Sequence, residues 1–255
     1  MTGRLDVVST SGPASHDLAF EAEMLERAGE GRCTLMTASW EGPVVVLGYA
    51  QPPADVDLEW CRCQGIPVLR RLSGGTGVIH RRDLSVSLAL PRAHPWGGSI
   101  VGLYGRFLDV LRPALKAAGS AVERVVEPAH ATRVRSPICF EDQLADTLVV
   151  DGRKAVGCSQ TRRKHAVLIH AAVLFGLETS LYARVFGVDA GRVAESLAPA
   201  VPGGDPAEVA ALVAGGFAAE LGLEIRLGHR PKPATGYLEP YRQDRWAPVR
   251  DGGIR

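Results

Sequence analysis

Residues 70 to 80 read Arg70-Arg71-Leu72-Ser73-Gly74-Gly75-Thr76-Gly77-Val78-Ile79-His80. Two arginines, whose charge does not titrate at physiological pH, precede three glycines that are interspersed with hydroxyl side chains. Glycine has no Cβ atom, so the backbone N–H groups of such a loop can turn inward and approach a ligand closely. The stretch therefore predicts a loop that wraps an anion, and a simple glycine-rich hairpin turn is the alternative.

A second polar cluster reads Asp151-Gly152-Arg153-Lys154-Ala155-Val156-Gly157-Cys158-Ser159-Gln160. Asp-Gly between two apolar runs is a strong signal for a two-residue β-hairpin turn, so Lys154 should lie just after a tight turn. Regular strand alternation would put Lys154, Val156 and Cys158 on one face. We therefore expect Lys154 and Cys158 to line one pocket.

The bulk composition indicates a globular protein with one main domain. The 255 residues can bury a substantial core, and charged residues make up 22% with a net charge of +1. This balance argues against nucleic acid or a membrane surface as the main partner. There is no apolar run of about 18 residues and no signal-peptide core near the start, so we expect a cytoplasmic location. Five cysteines at irregular spacing favour reduced thiols, and neither these nor the histidines complete a metal site.

Hydrophobic periodicity predicts a mixture of hairpins and helices. Strands 34–40 and 44–49 should form a hairpin, Asp55 should cap a helix that ends near residue 63, and 127–139 should be a loop. The other expected helices are 15–29, 99–118 with Pro113 inside it, 180–186 and 206–221. The other expected strands are 65–69, 84–90, 148–150, 153–158, 165–175 and 224–227. Such a mixture predicts an α+β fold with a mixed, largely antiparallel sheet flanked by helices.

Three segments resemble motifs of the biotin and lipoate protein ligase superfamily. Residues 70–80 resemble its RRxSGGGxVxH loop, residues 152–160 its GxKxxGSAQ strand, and residues 167–174 its LLxHGxLL strand. The resemblance implies a catalytic domain of the biotin/lipoate ligase type that attaches lipoate or octanoate to a lysine of a carrier domain. The resemblance covers about residues 17–186, and we expect the catalytic domain at residues 1–200. A composition shift near Pro202-Gly203-Gly204-Asp205 predicts a small C-terminal appendage of the same domain at 201–227, and the Arg- and Pro-rich sequence after it predicts an extended tail at 228–255.

Two mechanisms share these motifs. Lipoate-protein ligases activate free lipoate or octanoate with ATP and Mg, whereas octanoyltransferases take the acyl group from acyl carrier protein and need no cofactor. One branch of the transferases uses a cysteine within Pro-x-Cys-Phe, which Pro137-Ile138-Cys139-Phe140 matches. In both cases the implied acceptor is a lipoyl domain or the glycine cleavage carrier protein. A non-catalytic scaffold or binding subunit that keeps the fold is the third alternative.

The resemblance also implies which residues form the site. Cys139 would be the nucleophile, whose alternative is a small buried apolar residue, and Lys154 would be the catalytic lysine. His80 could act as a base, although a role in holding the loop is favoured. The basic run 162–165 could dock an acidic carrier or be a solvated turn. The residues expected to bind substrate are Arg70, Arg71, Ser73, Gly74, Gly75, Thr76, Gly77, His80, Gly157, Cys158, Ser159 and His170.

Several positions depart from the motifs. Thr76 replaces a glycine that is usual in the ligases, and Ala171 replaces the glycine after His170. Arg81 or Arg82 stands where an aspartate usually follows the histidine, and Cys158 stands where serine is usual. These changes weaken the expectation of a nucleotide site more than that of an acyl pocket.

Overall fold

The computed structural model describes residues 3–125, 138, 147–232 and 236–238. The strands are β1 (Arg4–Thr10), β2 (Cys33–Ala38), β3 (Val44–Leu47), β4 (Val68–Arg70), β5 (Val78–His80), β6 (Asp83–Pro91), β7 (Glu123–Val125), β8 (Thr147–Val150), β9 (Arg153–Arg162), β10 (Ala166–Leu174) and β11 (Glu224–Gly228). The helices are α1 (Ala14–Gly29), α2 (Leu58–Cys63), α3 (Ile100–Ala117), α4 (Thr179–Phe186), α5 (Ala190–Ser196) and α6 (Pro206–Leu221).

The described strands form two sheets. The larger has eight strands in the order β11-β1-β2-β6-β10-β9-β8-β7, and the smaller has three in the order β4-β3-β5. In the larger sheet β1 is parallel to β2 and to β11, and the remaining pairs are antiparallel. The expectation of an α+β fold with a mixed, largely antiparallel sheet is therefore confirmed.

Helices α3 and α6 cover one face of the larger sheet. Phe107 of α3 and Phe217 of α6 are fully buried, and their ring centroids lie 5.1 Å apart. The hydroxyl of Ser99 accepts a hydrogen bond from the Gly102 N–H and caps α3, which continues past Pro113 to Ala117 without a break. The opposite face of the sheet carries α1 and, beside it, the smaller sheet. The candidate site lies on this second face.

The expected hairpin of 34–40 with 44–49 is wrong. β2 pairs with β1 and β6 in the larger sheet, whereas β3 pairs with β4 and β5 in the smaller one. Both strands are buried along their whole length, so their apolar pattern carries no information about which strand each one pairs with. Residues 39–43, which connect β2 to β3, lead from the larger sheet to the smaller one.

The expected cap of α2 is also wrong by two residues. The side chain of Asp57 accepts from the Trp60 N–H and caps the helix, whereas Asp55 ends a turn of 3-10 helix at Pro53–Asp55. Because Asp55 belongs to the 3-10 turn, the helix begins only after the next aspartate, Asp57.

Most other elements are confirmed. Asp151 and Gly152 have φ angles of 50° and 74°, as a two-residue hairpin turn requires, and α6 has the expected bounds. Segment 201–227 supplies α6 to the core and β11 to the edge of the larger sheet. Of the expected loop 127–139 only residue 138 is described, and of the expected tail 228–255 only residues 228–232 and 236–238 are described. In the part of the chain that the structure describes, none of the helices is both long and apolar enough to span a lipid bilayer.

Candidate active site

Two buried arginines hold the glycine-rich loop. Arg70 is 5% exposed, and its Nη1 atom donates to the carbonyls of Gly48, Tyr49 and Gln51 at 2.6, 3.1 and 2.7 Å. Burial lowers the pKa of this guanidinium, and repulsion from the charge of Arg71 lowers it further. Because the head group already donates to backbone carbonyls, its clearest role is to shape the neighbouring chain. A contact between Arg70 and a bound anion stays a prediction.

Arg71 holds the loop from inside. Its Nη2 atom donates to the carbonyls of Gly74 and Thr76 at 2.7 and 3.0 Å, and its Nε atom donates to the hydroxyl of Ser73 at 3.1 Å. Five donors in a rigid planar fork make such multiple bonding possible for arginine and not for lysine. The conformation of residues 73–76 therefore depends on one guanidinium.

The loop also lies unusually close to Gly48, the residue that follows β3. A Cβ atom on Gly48 would lie 1.9 Å from the carbonyl oxygen of Gly75, and a Cβ on Gly77 would lie 2.5 Å from the Phe186 ring. Gly75 itself has a φ angle of 91°, which strains any residue with a side chain. Gly48 is thus required by the close approach of two backbone segments, Gly77 by the Phe186 ring, and Gly75 by its φ angle.

A small pocket lies between the loop, α1 and the larger sheet, with about 380 Å³ of space between atoms, part of which is open to solvent. It brings together six of the residues expected from sequence, although they come from distant parts of the chain. The predicted members are Arg71, His80, Gly157, Cys158, Ser159 and His170. The remaining lining is Leu18, Glu21, Trp40, Val46, Val78, Ser85, Ala171 and Ala172. Aliphatic and aromatic side chains next to a few polar groups are typical of a small-molecule site.

A hydrogen-bonded polar group lies in this cavity. His170 Nε2 lies 2.7 Å from Ser159 Oγ and 2.7 Å from Ser73 Oγ, and the two hydroxyl oxygens are also 2.7 Å apart. On the other side of the ring, His170 Nδ1 lies 3.0 Å from Glu21 Oε1, which also accepts from the Ser87 hydroxyl at 2.6 Å. The loop, β9, β10 and α1 are thereby joined through one imidazole.

Glu21 was missed by the sequence analysis. It is only 2% exposed, and burial raises the pKa of its carboxyl, but the charge and hydrogen bond of His170, the Ser87 hydroxyl and Arg71 together hold that pKa below its usual value. Glu21 is therefore a buried carboxylate. The signal that could have revealed it is its position, since it follows Leu18 by three residues on the buried stripe of α1.

His80 is held from two sides. Its Nδ1 atom lies 2.6 Å from Asp83 Oδ2, and its ring lies 4.5 Å from the Trp40 ring, centroid to centroid. Asp83 Oδ1 also accepts from the backbone N–H of Arg81 at 3.1 Å. A carboxylate is thus present near this histidine, one or two residues later than the motif has it, and the geometry suits a role in holding the loop.

Lys154 lies on the opposite face of β9 from the one expected. Leu148 pairs with Val156, but the next residue, Val149, pairs with Lys154, so one extra residue, Ala155, is inserted in β9 as a bulge. Since Leu148 and Val149 point to opposite faces, Lys154 and Val156 do too. The prediction that Lys154 shares a face with Cys158 is therefore wrong. Lys154, 5% exposed, instead shares a face with Gly157 and Ser159.

The expected nucleophile, Cys139, lies outside the described residues. Its chain neighbour Ile138 is described and is fully buried in the same apolar cluster as Ala172, Leu174 and Phe186. The backbone of Ile138 forms a parallel bridge with Gly77 of the glycine-rich loop. The residue before Cys139 is therefore fixed against the loop. Among the described residues, no group of three or more His, Cys, Asp or Glu side chains could hold a metal ion.

Comparison with known proteins relates this arrangement to a family. Residues 13–210 match the model of the lipoyl protein ligase A/B catalytic domain. Octanoyltransferase LipM of Symbiobacterium thermophilum is 30% identical over 95% of this chain and 96% of its own, and that of Geobacillus kaustophilus is 30% identical over 72% and 70%.

A solved structure shares the fold. The bi-partite lipoate protein ligase of Thermoplasma acidophilum, studied with its E2 lipoyl domain, superposes with a TM-score of 0.74 and 20% identity over 100% of both chains. The matched region contains the glycine-rich loop, the Lys154 strand and the His170 strand, which together line the cavity. The chain belongs to the lipoyl protein ligase A/B catalytic domain family.

Proposed function

We propose that the protein transfers an octanoyl or lipoyl group to the lysine of a lipoyl carrier domain through a thioester on Cys139. The observation that carries this proposal is the bridge between Gly77 and Ile138, which ties the residue before Cys139 to the loop that lines the cavity. The relatives named octanoyltransferase support an octanoyl group as the group that is transferred. The apolar lining at Leu18, Val46 and Val78 suits an alkyl chain.

The chemistry requires two exchanges at one carbonyl carbon. The Cys139 thiolate attacks the acyl thioester of the donor, and the donor's thiolate leaves and takes up a proton. The amine of the acceptor lysine then attacks the enzyme thioester, Cys139 leaves as a thiolate, and the new amide loses its extra proton to solvent or a base. Thioester-to-thioester exchange changes the free energy little, so this route uses no ATP.

Lys154 would assist both steps. A cation close to a thiol favours the thiolate, and the same cation stabilises the negative oxygen that develops at the carbonyl. Burial of Lys154 strengthens such an interaction because little water remains to screen the charge. The glycine-rich loop would shape the opposite wall, with its arginines engaged in holding it.

The donor in this proposal is acyl carrier protein, and the acceptor is a lipoyl domain or the glycine cleavage carrier protein. The archaeal ligase of the same fold was studied with a lipoyl domain, which supports that class of acceptor. Arg163, Lys164 and His165 are exposed at the turn between β9 and β10, where they could meet an acidic carrier. An ATP-dependent ligase that uses Mg and free lipoate or octanoate, and a non-catalytic subunit, are the competing outcomes.

Intact mass spectrometry separates these functions. The enzyme mixed with octanoyl carrier protein and no ATP should gain the mass of one octanoyl group, and subsequent addition of a lipoyl domain should move that mass to its lysine. Cys139→Ala should abolish the adduct, whereas Cys63→Ala, which removes an exposed thiol of α2, should keep it. Modification of the lipoyl domain that requires ATP and free acid, without an enzyme adduct, would replace the transferase by the ligase. No modification under either condition would favour the non-catalytic subunit.

A further inference from the structure

The floor of the cavity changes from apolar to polar along the strands. In the register of β6, β10 and β9, one row consists of Ser85, Ala172 and Gly157, and the next row on the same face consists of Ser87, His170 and Ser159. Lys154 shares this face and lies beyond Gly157, on the side away from Ser159. A chain that runs along the floor from Lys154 therefore passes Gly157 and Ala172 first and meets Ser159 and His170 afterwards.

The core closes the space behind the polar row. The following row consists of Ala89, Leu168 and Thr161. Ala89 and Leu168 belong to a buried cluster with Phe20 and Met24 of α1. Since α1 packs directly on the sheet at this row, the cavity has no continuation there. The row that contains Ser159 and His170, with Glu21 of α1 against it, is consequently its inner end.

An alkyl chain that extends past this end wall would break buried hydrogen bonds and so bind with a less favourable free energy. The hydroxyl of Ser159 and both nitrogens of His170 are engaged in the hydrogen bonds described above, and Glu21 is a buried carboxylate. A longer chain would have to displace Ser159 or separate His170 from Glu21, which leaves polar groups buried without partners. Each methylene group placed against the apolar lining, by contrast, strengthens binding about fourfold. Affinity should rise with chain length up to the polar row and fall beyond it.

We propose that Ser159, His170 and Glu21 form the end wall of the acyl cavity and set the longest acyl chain that the enzyme accepts, with Ser159 as the residue that determines this limit. The inference rests on the proposed function, because it takes the cavity to hold the acyl chain. Ser159 occupies the alanine position of the GxKxxGSAQ pattern, so its hydroxyl takes space that the pattern leaves open. Compared with alanine, Ser159 thus places one more heavy atom at this wall.

The test compares kcat/KM for hexanoyl, octanoyl, decanoyl and dodecanoyl thioesters. Ser159→Ala should raise the ratio of decanoyl to octanoyl transfer by about fourfold, the effect of room for one methylene group. Ser159→Thr adds a methyl group at the wall and should lower the same ratio. Thr161→Val removes a hydroxyl from the next row, outside the cavity, and should leave the ratio unchanged.

The outcomes distinguish the inference from the proposed function. If both Ser159 variants transfer octanoate with an unaltered ratio, the wall does not set chain length and the inference is overturned. If the parent enzyme transfers none of the thioesters, the proposed function fails. Thermal shifts with free fatty acids of the same lengths then measure the cavity without the chemistry. If the longest fatty acid that still stabilises the protein becomes longer in Ser159→Ala and shorter in Ser159→Thr, the inference is supported without the chemistry. If neither variant changes it, the inference is rejected.

Discussion

The Nε2 atom of His170 lies 2.7 Å from the Oγ atom of Ser73, a residue 97 positions earlier in the chain. Ser73 belongs to the glycine-rich loop and His170 to the central strand β10, so this contact joins the loop to the sheet. The histidine in turn contacts Glu21 of α1 at 3.0 Å. The conformation of the loop therefore depends on a buried pair of ionisable groups as well as on Arg71.

The first prediction concerns that pair. His170→Ala leaves the Glu21 carboxylate buried without its partner and should lower the free energy of unfolding by about 3 to 5 kcal/mol. The double variant His170→Ala/Glu21→Gln removes the uncompensated charge and should be more stable than His170→Ala alone. Urea unfolding of the parent, both single variants and the double variant measures the coupling. Additive effects would show that the two side chains do not stabilise each other.

A second prediction concerns the close approach of Gly48 to the loop. Gly48→Ala puts a Cβ atom 1.9 Å from the Gly75 carbonyl oxygen, so one backbone segment must move away from the other. We expect a loss of about 2 kcal/mol or more in stability, as for other overpacked sites, together with reduced acyl transfer.

The matched control for this substitution is Gly98→Ala. At Gly98 a Cβ atom meets nothing within 4 Å, so the unfolding temperature should change little. Equal unfolding temperatures for the two variants in a thermal scan would argue that the loop accommodates the methyl group without displacement.

Local signals in the sequence predicted most of the elements. Asp-Gly between apolar runs predicted the turn at Asp151 and Gly152, and hydrophobic periodicity predicted α6. These features depend on residues that are near one another in the chain. The partners of β2 and β3 depend instead on distant strands, and both have apolar residues on both faces, so the expected hairpin between them was wrong.

The site was predicted less completely, for a similar physical reason. The motifs identified Ser73, Ser159 and His170, yet their mutual contacts and the role of Glu21 arise only when four elements come together. The predicted face of Lys154 was wrong because a bulge adds one residue to β9. Lys154 therefore points to the opposite face from Val156 and Cys158. A single inserted residue leaves no clear trace in hydrophobic alternation over so short a strand.

The third prediction tests the role of Lys154. Lys154→Met keeps about the length of a 5%-exposed side chain and removes its charge, and a thermal scan checks that the variant is folded. Acyl transfer should fall by roughly a hundredfold or more, as when one group that stabilises a developing oxyanion is removed. Steady-state kinetics and a thermal scan on the same preparation provide both values. Retention of parental kcat/KM in a folded Lys154→Met enzyme would exclude Lys154 from the chemistry.

The last prediction uses Asp17, which orients Trp40 at the wall of the cavity. Asp17 Oδ2 accepts from Trp40 Nε1 at 2.7 Å, and Arg230 lies 2.9 Å from the other carboxylate oxygen. Burial raises the pKa of this carboxyl from 3.8 to about 6, although Trp40 and Arg230 both lower it. Between these two pH values the folded protein holds the proton more tightly than the unfolded chain, so this group makes the protein less stable as pH rises.

Asp17→Asn removes that pH dependence. The variant should gain stability relative to the parent as pH rises from about 4 to about 6, by about 2 to 3 kcal/mol in total, and the difference should stay constant at higher pH. Trp40→Phe removes a hydrogen bond that lowers the pKa of Asp17. In this variant, the loss of stability with rising pH should therefore continue to a higher pH than in the parent. Chemical unfolding at closely spaced pH values measures both effects. A stability difference between Asp17→Asn and the parent that is flat from pH 4 to pH 7 would show that burial does not raise the pKa of this carboxyl.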